Sequence, residues 1–208
     1  MYIQITTRCD MLCPHCGFSC TPKGRDITFS SFKSAVWLCN KTNIREVSIG
    51  GGEPTIHPLF FDILQYSLDN FSNKINVVTN GKDAFSALKL LDIYTKHKGK
   101  LVVGLSKDDY HEPICEYVYN EYKKHHLIHN IASRYIINVG RAKNLLKKEI
   151  KINQKCFCTL PIITPNGNIK QCFCENAPVL TNVSKDNRQN LENLEEIFKY
   201  SGCINKWL

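Results

Sequence analysis

The sequence predicts an α/β protein whose first 150 residues form a partial, open parallel (β/α) barrel. Short β-prone runs alternate there with segments whose apolar residues recur at helical spacing. Successive βα units place their strands in parallel with right-handed crossovers. A closed eight-unit barrel needs at least about 200 residues, whereas this alternation ends near residue 150. We therefore expect about five to six units, followed by a small cysteine-rich β-hairpin and a helix.

Each predicted strand leads into a helix. The strands are expected at 2–6, 46–49, 75–78, 101–105 and 131–139. Ser30 is the expected N-cap of the first helix, and apolar residues at four-residue spacing begin the next two near Leu59 and Ala84. The fourth helix starts near Pro113, a favoured first-turn residue, and a further one contains Ala142. Functional residues are expected at the C-terminal ends of the strands.

The composition favours a globular protein that binds metal through reduced thiols. Hydrophobic residues make up 43% and charged residues 22% of the 208 positions, enough for a packed core. No apolar run approaches the length of a membrane span, and residues 1–6 do not resemble a signal peptide, so a cytoplasmic location is expected. The 11 cysteines, an odd number, argue against a disulfide scaffold.

The net charge of +8 is a weaker indication. It permits a nucleic-acid partner, but the lysines cluster at the ends of predicted helices, where cations complement the helix dipole. No aromatic side chains interleave with them as a base-stacking surface requires. Solvated helix ends are therefore the favoured interpretation.

Three cysteines directly after the first strand form a candidate metal site. Cys9, Cys13 and Cys16 have the spacing C-x3-C-x2-C. Three thiolates on a short loop can hold three irons of a [4Fe–4S] cluster and leave the fourth iron open to S-adenosylmethionine. Cys20 as a fourth ligand, a zinc site using Cys13 and Cys16, and plain buried thiols remain as alternatives at this point.

A glycine-rich segment ends the second predicted strand, where a parallel sheet places its ligand. Gly51 and Gly52 expose backbone groups, Glu53 offers a carboxylate for the ammonium of the cofactor's methionine, and Pro54 follows. A plain βα turn is the alternative.

Together these two motifs resemble the radical S-adenosylmethionine (radical SAM) superfamily, over about residues 1–150. The resemblance implies cofactor contacts at the ends of later strands as well: Thr79, Asn80, Ser106 and Arg141. His15 departs from the family pattern, which usually has an aromatic residue there; it can stack on the adenine or merely line the loop.

The reaction is also implied by the resemblance. A reduced [4Fe–4S] cluster passes one electron to S-adenosylmethionine, and a 5′-deoxyadenosyl radical then abstracts hydrogen from substrate. The cofactor carries this chemistry, and the protein supplies orientation and excludes water and oxygen. An external one-electron reductant of the flavodoxin or ferredoxin type is the expected electron source.

A second metal site is expected in residues 151–208, which we assign to a separate cysteine-rich extension. Asn166-Gly167 between β-prone runs predicts a hairpin with a two-residue loop that sets Pro161 opposite Cys172. The pattern from Cys156 through Gly167 to Cys172 is similar to the Twitch and SPASM extensions, which implies an auxiliary iron–sulfur cluster. A structural zinc site is the alternative. The candidate ligands are Cys156, Cys158, Cys172, Cys174 and Cys203.

Three further cysteines are not assigned to metal. We expect Cys20, Cys39 and Cys115 to be buried thiols.

The favoured function is modification of a peptide or protein side chain by a radical SAM enzyme with one auxiliary cluster. Modification of a nucleotide, nucleoside or small metabolite, activation of a glycyl-radical enzyme, and a zinc-stabilised interaction module are the alternatives. The polar residues expected to face the substrate are Asp108, Asp109, Tyr110, His111 and Arg141, and the alternative for each is a satisfied loop residue. The sequence assigns none of them as acid or base.

Overall fold

The computed structural model describes residues 1–42, 44–129, 139–145, 161–173, 177–184 and 192. Strands and helices alternate in these ranges. The strands are β1 (Tyr2–Thr6), β2 (Glu46–Gly51), β3 (Lys74–Thr79), β4 (Leu101–Ser106), β5 (Ile128–His129), β6 (Ile162–Ile163), β7 (Asn168–Lys170) and β8 (Val179–Asn182). The helices are α1 (Phe29–Lys41), α2 (Phe60–Asn70), α3 (Ala84–Lys96), α4 (Glu116–Lys124) and the short α5 (Ala142–Leu145).

The eight described strands form one sheet in the order β5-β4-β3-β2-β1-β6-β7-β8. β1 to β5 pair in parallel, and β6 pairs in parallel with β1, placing Tyr2 opposite Ile162. β7 and β8 then continue the sheet in antiparallel pairing. Among the described residues β5 and β8 do not pair with each other, so the barrel is open. The predicted α/β fold, a partial parallel barrel with a hairpin, is confirmed.

The core lies where α1 to α4 pack on the sheet. Large apolar side chains fully buried there include Ile3 of β1, Phe32 of α1 and Ile63 of α2. Burying one such side chain stabilises the fold by roughly 1.5–3 kcal/mol. Tyr122 of α4 is also fully buried, and its hydroxyl donates to the carbonyl oxygen of Ala87 in α3 at 2.8 Å. No helix of the described residues is both long and apolar enough to cross a membrane.

The start of α1 differs from the sequence prediction. Thr28, not Ser30, is the N-cap: its backbone is extended, and its hydroxyl accepts a hydrogen bond from the Ser31 N–H at 3.2 Å. Ser30 already lies inside the helix. Both hydroxyl residues satisfy the same capping rule, so the sequence did not distinguish them.

The hairpin also differs, by one residue of register. Ile162 pairs with Lys170 and Ile163 with Ile169, which leaves a three-residue loop instead of the predicted two-residue loop. The Gly167 N–H donates to the Thr164 carbonyl oxygen at 2.8 Å, and Gly167 has φ +76°. A turn closed by a left-handed glycine is the usual three-residue hairpin loop. The predicted pairing of Pro161 with Cys172 is therefore wrong.

Several predicted features lie outside the described residues. They are the fifth strand over 131–138, the boundary near residue 150, the final helix over 191–200 apart from residue 192, and the cysteines Cys156, Cys158, Cys174 and Cys203. One prediction on the remaining thiols is wrong: Cys20 and Cys39 are buried, but Cys115 is exposed just before α4.

Candidate active site

The C-terminal ends of β1 to β4 surround a cavity of about 350 Å³. Parallel strands bring their carboxyl ends to one edge of a sheet, so motifs far apart in sequence meet there. The predicted site residues that line the cavity come from all of the first four strand ends: Cys9, Cys13, His15, Cys16, Gly51, Gly52, Glu53, Thr79, Asn80, Ser106 and His111. Pro54, Asp108 and Arg141 do not line it.

The three cysteines of the loop after β1 are half-buried and open into this cavity. Burial raises the pKa of the Cys9 thiol to about 12 and that of the Cys13 thiol to about 11. A hydrogen bond from Cys20 instead lowers the pKa of Cys16. Cys20 is buried and does not line the cavity. What suits the three thiols to iron is their convergence on one cavity, since iron binds cysteines as thiolates.

The glycines after β2 are required by a close approach to the cysteine loop. A Cβ on Gly51, which has φ +151°, would lie 2.0 Å from the Thr6 carbonyl oxygen. A Cβ on Gly52 would lie 2.0 Å from the Arg8 carbonyl oxygen. These oxygens accept hydrogen bonds from the N–H groups of Gly52 and Glu53, each at 2.9 Å. The glycines therefore hold the two loops together as well as lining the cavity.

Glu53 is the buried acid of the cavity, with 1% of its surface exposed. Its Oε1 accepts from the hydroxyls of Thr55 at 2.6 Å and Thr79 at 2.7 Å, and its Oε2 accepts from the Asn80 N–H at 2.7 Å. Burial raises its pKa to about 7, although these hydrogen bonds work to lower it. Among the described residues Oε2 has one donor, which leaves a lone pair for a cationic ligand.

The turn after β3 connects Glu53 to the cysteine loop. The Asn80 side-chain amide donates to Asp10 Oδ1 at 2.8 Å and lies 4.0 Å from Cys9 Sγ. Lys82 reaches the same loop, donating to the Asp10 carbonyl oxygen at 2.6 Å. The strand end thus fixes both the carboxylate of Glu53 and the first cysteine.

The segment after β4 packs against the cysteine loop through two histidines and one aspartate. Asp108 Oδ1 lies 2.8 Å from His111 Nδ1, and Asp108 Oδ2 lies 3.4 Å from His15 Nε2. Ser106 Oγ lies 3.3 Å from His111 Nε2. Burial works to raise the pKa of Asp108, but the Tyr110 N–H and the neighbouring His111 lower it overall. Burial lowers the pKa of His15. His15 thus lies against Asp108 and His111 on the β4 side of the cavity.

Arg141 lies behind the cysteine loop. Its Nε donates to the Cys13 carbonyl oxygen at 3.1 Å, its Nη1 donates to the Cys20 carbonyl oxygen at 2.5 Å, and its backbone N–H donates to the Cys16 carbonyl oxygen at 3.0 Å. The preceding Gly140 has φ +57°, and a Cβ there would lie 2.4 Å from the Gly17 carbonyl oxygen. The contacts of Arg141 are those of a residue that positions the loop.

Sequence reasoning missed an aromatic cluster beside the site. The ring of Tyr2 stacks on Phe18 with centroids 5.7 Å apart and meets Phe173 edge-on at 5.0 Å. Tyr2 and Phe18 line the cavity, whereas Phe173 follows the fully buried Cys172. The cluster packs the cysteine loop against the segment after β7. Each ring is apolar and unremarkable in sequence, so the pattern carried no signal for this contact.

Comparison with known proteins identifies the family. The model of the radical SAM superfamily matches residues 3–151, which is more than half of the chain. The chain therefore belongs to the radical SAM superfamily, a class of enzymes. The residue types around the cavity fit that family's [4Fe–4S] cluster and S-adenosylmethionine: three convergent thiols for iron, and a buried carboxylate with a free lone pair for a cationic ligand.

The individual relatives each share less than a third of their aligned residues with this chain. The subtilosin biosynthesis protein AlbA of Bacillus subtilis strain 168 is 29% identical over 106 residues, 50% of this chain but only 23% of that relative's length. A structure of native anSMEcpe with bound AdoMet and Kp18Cys peptide has a TM-score of 0.61 at 14% identity, over 98% of this chain and 83% of that one. A structure of Streptococcus suis SuiB bound to precursor peptide SuiA has a TM-score of 0.51 at 13% identity, over 96% of this chain and 65% of that one. At identities this low, the two matched structures are evidence for the fold alone.

Proposed function

We propose that this protein reductively cleaves S-adenosylmethionine and uses the product radical to modify a side chain of a peptide or protein. The observation that carries the proposal is the meeting of Cys9, Cys13 and Cys16 with Glu53 in one cavity. When bound, the reduced cluster and S-adenosylmethionine supply a 5′-deoxyadenosyl radical that takes hydrogen from the substrate. The following roles belong to the chain's own residues.

The three cysteines hold three irons of a [4Fe–4S] cluster. Glu53 receives the ammonium of the cofactor's methionine on Oε2, in the position left free by Asn80. Thr79 holds Glu53 in place through its hydroxyl, and Gly51, Gly52 and Pro54 shape the turn that carries it. Ser106 and Asn80 contact the cofactor from the neighbouring strand ends, and His15 lines its adenine side.

The substrate enters from the side of β4. His111 lines the cavity next to Ser106, and Asp108 lies directly behind it, so His111 faces the substrate and Asp108 orients it. Arg141 acts on the reaction through the loop carbonyls of Cys13 and Cys20. His111 is thus the catalytic residue of this group, and Asp108 and Arg141 are positioning residues.

Residues 151–208 form the second functional unit, which binds an auxiliary [4Fe–4S] cluster. Its ligands are drawn from Cys156, Cys158, Cys172, Cys174 and Cys203. Cys172 is fully buried beside Phe173, which contacts Tyr2 at the cavity wall. This arrangement favours a cluster close to the reaction cavity, where it can take an electron from a substrate radical. A flavodoxin- or ferredoxin-type protein supplies the first electron in the cytoplasm.

The names of the relatives favour a peptide substrate. AlbA serves the biosynthesis of a bacteriocin, and the matched structures of anSMEcpe and SuiB contain peptides. The cavity opens at the edge of the sheet, where a chain segment can reach His111.

The test uses anaerobically reconstituted full-length protein with a chemical reductant and S-adenosylmethionine. Deuterium-labelled peptides and deuterium-labelled nucleosides are supplied in separate reactions, and 5′-deoxyadenosine is analysed by mass spectrometry. The proposal predicts deuterium in 5′-deoxyadenosine from a peptide. Transfer only from a nucleoside would refute the substrate class, and absence of 5′-deoxyadenosine in every reaction would refute the activity.

A further inference from the structure

Two histidines that line the cavity and an aspartate next to them form a compact cluster of potential metal ligands, which we call the His15–Asp108–His111 triad. His15 lies in the cysteine loop, and Asp108 and His111 lie after β4. One ligand atom from each residue lies within 4.8 Å of the other two. Their side chains are largely buried, with 16%, 3% and 9% of their surface exposed.

The hydrogen bonds of Asp108 leave one oxygen free. Its Oδ1 accepts from the backbone N–H groups of Tyr110 at 2.8 Å and of His111 at 3.2 Å. Its Oδ2 is buried and accepts no hydrogen bond within the part of the chain that the structure describes, and His15 Nε2 lies 3.4 Å from it. A buried carboxylate oxygen without a hydrogen bond is unfavourable, so a cation at this position would stabilise it.

The two histidines also leave buried nitrogens without a hydrogen bond. His111 Nε2 lies 3.3 Å from Ser106 Oγ, and His111 Nδ1 approaches Asp108 Oδ1 to 2.8 Å without hydrogen-bond geometry. His15 Nδ1 is likewise buried and unpartnered among the described residues. Where His111 carries its proton on Nε2 and donates it to Ser106, its Nδ1 presents a lone pair toward a carboxylate, which is unfavourable unless a cation lies between them.

We propose that the His15–Asp108–His111 triad binds one divalent first-row transition-metal ion, separate from the cluster irons. Two imidazoles and one carboxylate are a ligand set that suits Fe²⁺, Mn²⁺ or Zn²⁺. The surroundings match the support that metal ligands usually have: Ser106 orients His111, and two backbone N–H groups hold the other oxygen of Asp108.

Three protein ligands leave open coordination positions. His15 and His111 both line the cavity, so those positions face the space that the cofactor and the substrate share in the proposed function. The existence of the metal site does not depend on that function.

The test is a titration of reconstituted full-length protein with Mn²⁺, followed by electron paramagnetic resonance (EPR) of the free ion. Mn²⁺ is chosen because it prefers oxygen and nitrogen ligands over the thiolates elsewhere in the chain. The proposal predicts one bound Mn²⁺ per chain in the wild type and in His97→Gln, a control at an exposed histidine. Asp108→Asn and His111→Gln should each weaken binding by more than about tenfold.

A second measurement separates this site from adventitious binding. Electron spin echo envelope modulation of bound Mn²⁺ should show imidazole nitrogen couplings, reduced in His111→Gln. The variants must retain the visible absorption of the cluster, which establishes that they fold. Bound Mn²⁺ without nitrogen coupling, no bound Mn²⁺ in the wild type, or equal affinity in well-folded Asp108→Asn would each overturn the proposal.

Discussion

The guanidinium of Arg141 donates to the carbonyl oxygen of Cys13 at 3.1 Å, across 128 positions of sequence. The same side chain reaches the Cys20 carbonyl oxygen, and the backbone N–H of Arg141 reaches that of Cys16. A positive charge thus lies against the loop that carries Cys9, Cys13 and Cys16, with its Nη2 buried and unpartnered among the described residues.

Replacing this charge should make the cluster harder to reduce. A reduced cluster carries one more negative charge, which a nearby cation stabilises. Arg141→Met is therefore expected to lower the midpoint potential by on the order of 1 kcal/mol, or about 40 mV for one electron. Redox titration followed by EPR measures it. Arg141→Lys, which keeps the charge and loses the paired contacts, should lie closer to the wild type. Equal potentials in all three proteins would show that the charge has no such role.

Gly52→Ala should disrupt the junction between the cysteine loop and the turn after β2. The added Cβ would lie 2.0 Å from the Arg8 carbonyl oxygen, which accepts the Glu53 N–H. We expect a loss of about 1–3 kcal/mol in the free energy of unfolding, together with weaker S-adenosylmethionine binding. Gly99→Ala is the matched control, since nothing lies within 4 Å of its added Cβ. Thermal unfolding and equilibrium binding would be compared, and equal effects of the two changes would contradict the structural role.

Glu53 should make stability depend on pH near neutrality. Its pKa is raised by burial to about 7, so the folded state holds a proton that the unfolded state releases above about pH 4.5. The stabilisation from this proton is present at lower pH and is lost as the pH rises through 7. Between pH 6 and 8 the loss is about 1 kcal/mol. Glu53→Gln should remove this part of the pH dependence. An identical pH slope in thermal unfolding of both proteins would contradict the raised pKa.

Cys172→Ser tests the auxiliary cluster. If Cys172 is a ligand, reconstituted protein should lose about four irons and the matching sulfide per chain. Cleavage of S-adenosylmethionine without substrate should persist, while product formation should stop. Cys115→Ser, at an exposed thiol, is the control for loss of a cysteine. Unchanged iron with loss of one zinc would assign the hairpin cysteines to a structural zinc site instead.

Much of the fold was predictable because the strands are short, apolar and separated by amphipathic segments. β1 has the predicted bounds, Tyr2–Thr6, and the strand ends meet in one cavity as parallel pairing requires. The hairpin register was not predictable, because it depends on whether Gly167 takes a left-handed conformation inside the loop.

The parts of the site that escaped prediction are contacts between distant residues. Tyr2 meets Phe173, and Arg141 turns to the cysteine loop, because the sheet brings these segments together. Local patterns record which residues form a strand or a turn, but not the partner across the sheet. The contact between His15 and Asp108 also joins distant segments of the chain, so local patterns did not predict it.

The central claim is that Cys9, Cys13 and Cys16 hold a cluster that cleaves S-adenosylmethionine. The most direct measurement is 5′-deoxyadenosine formed by reconstituted protein with reductant, compared among wild type, Cys13→Ala and Cys115→Ala. The account predicts product from the wild type and Cys115→Ala, and none from Cys13→Ala. Undiminished 5′-deoxyadenosine from Cys13→Ala, or none from the wild type, would contradict it.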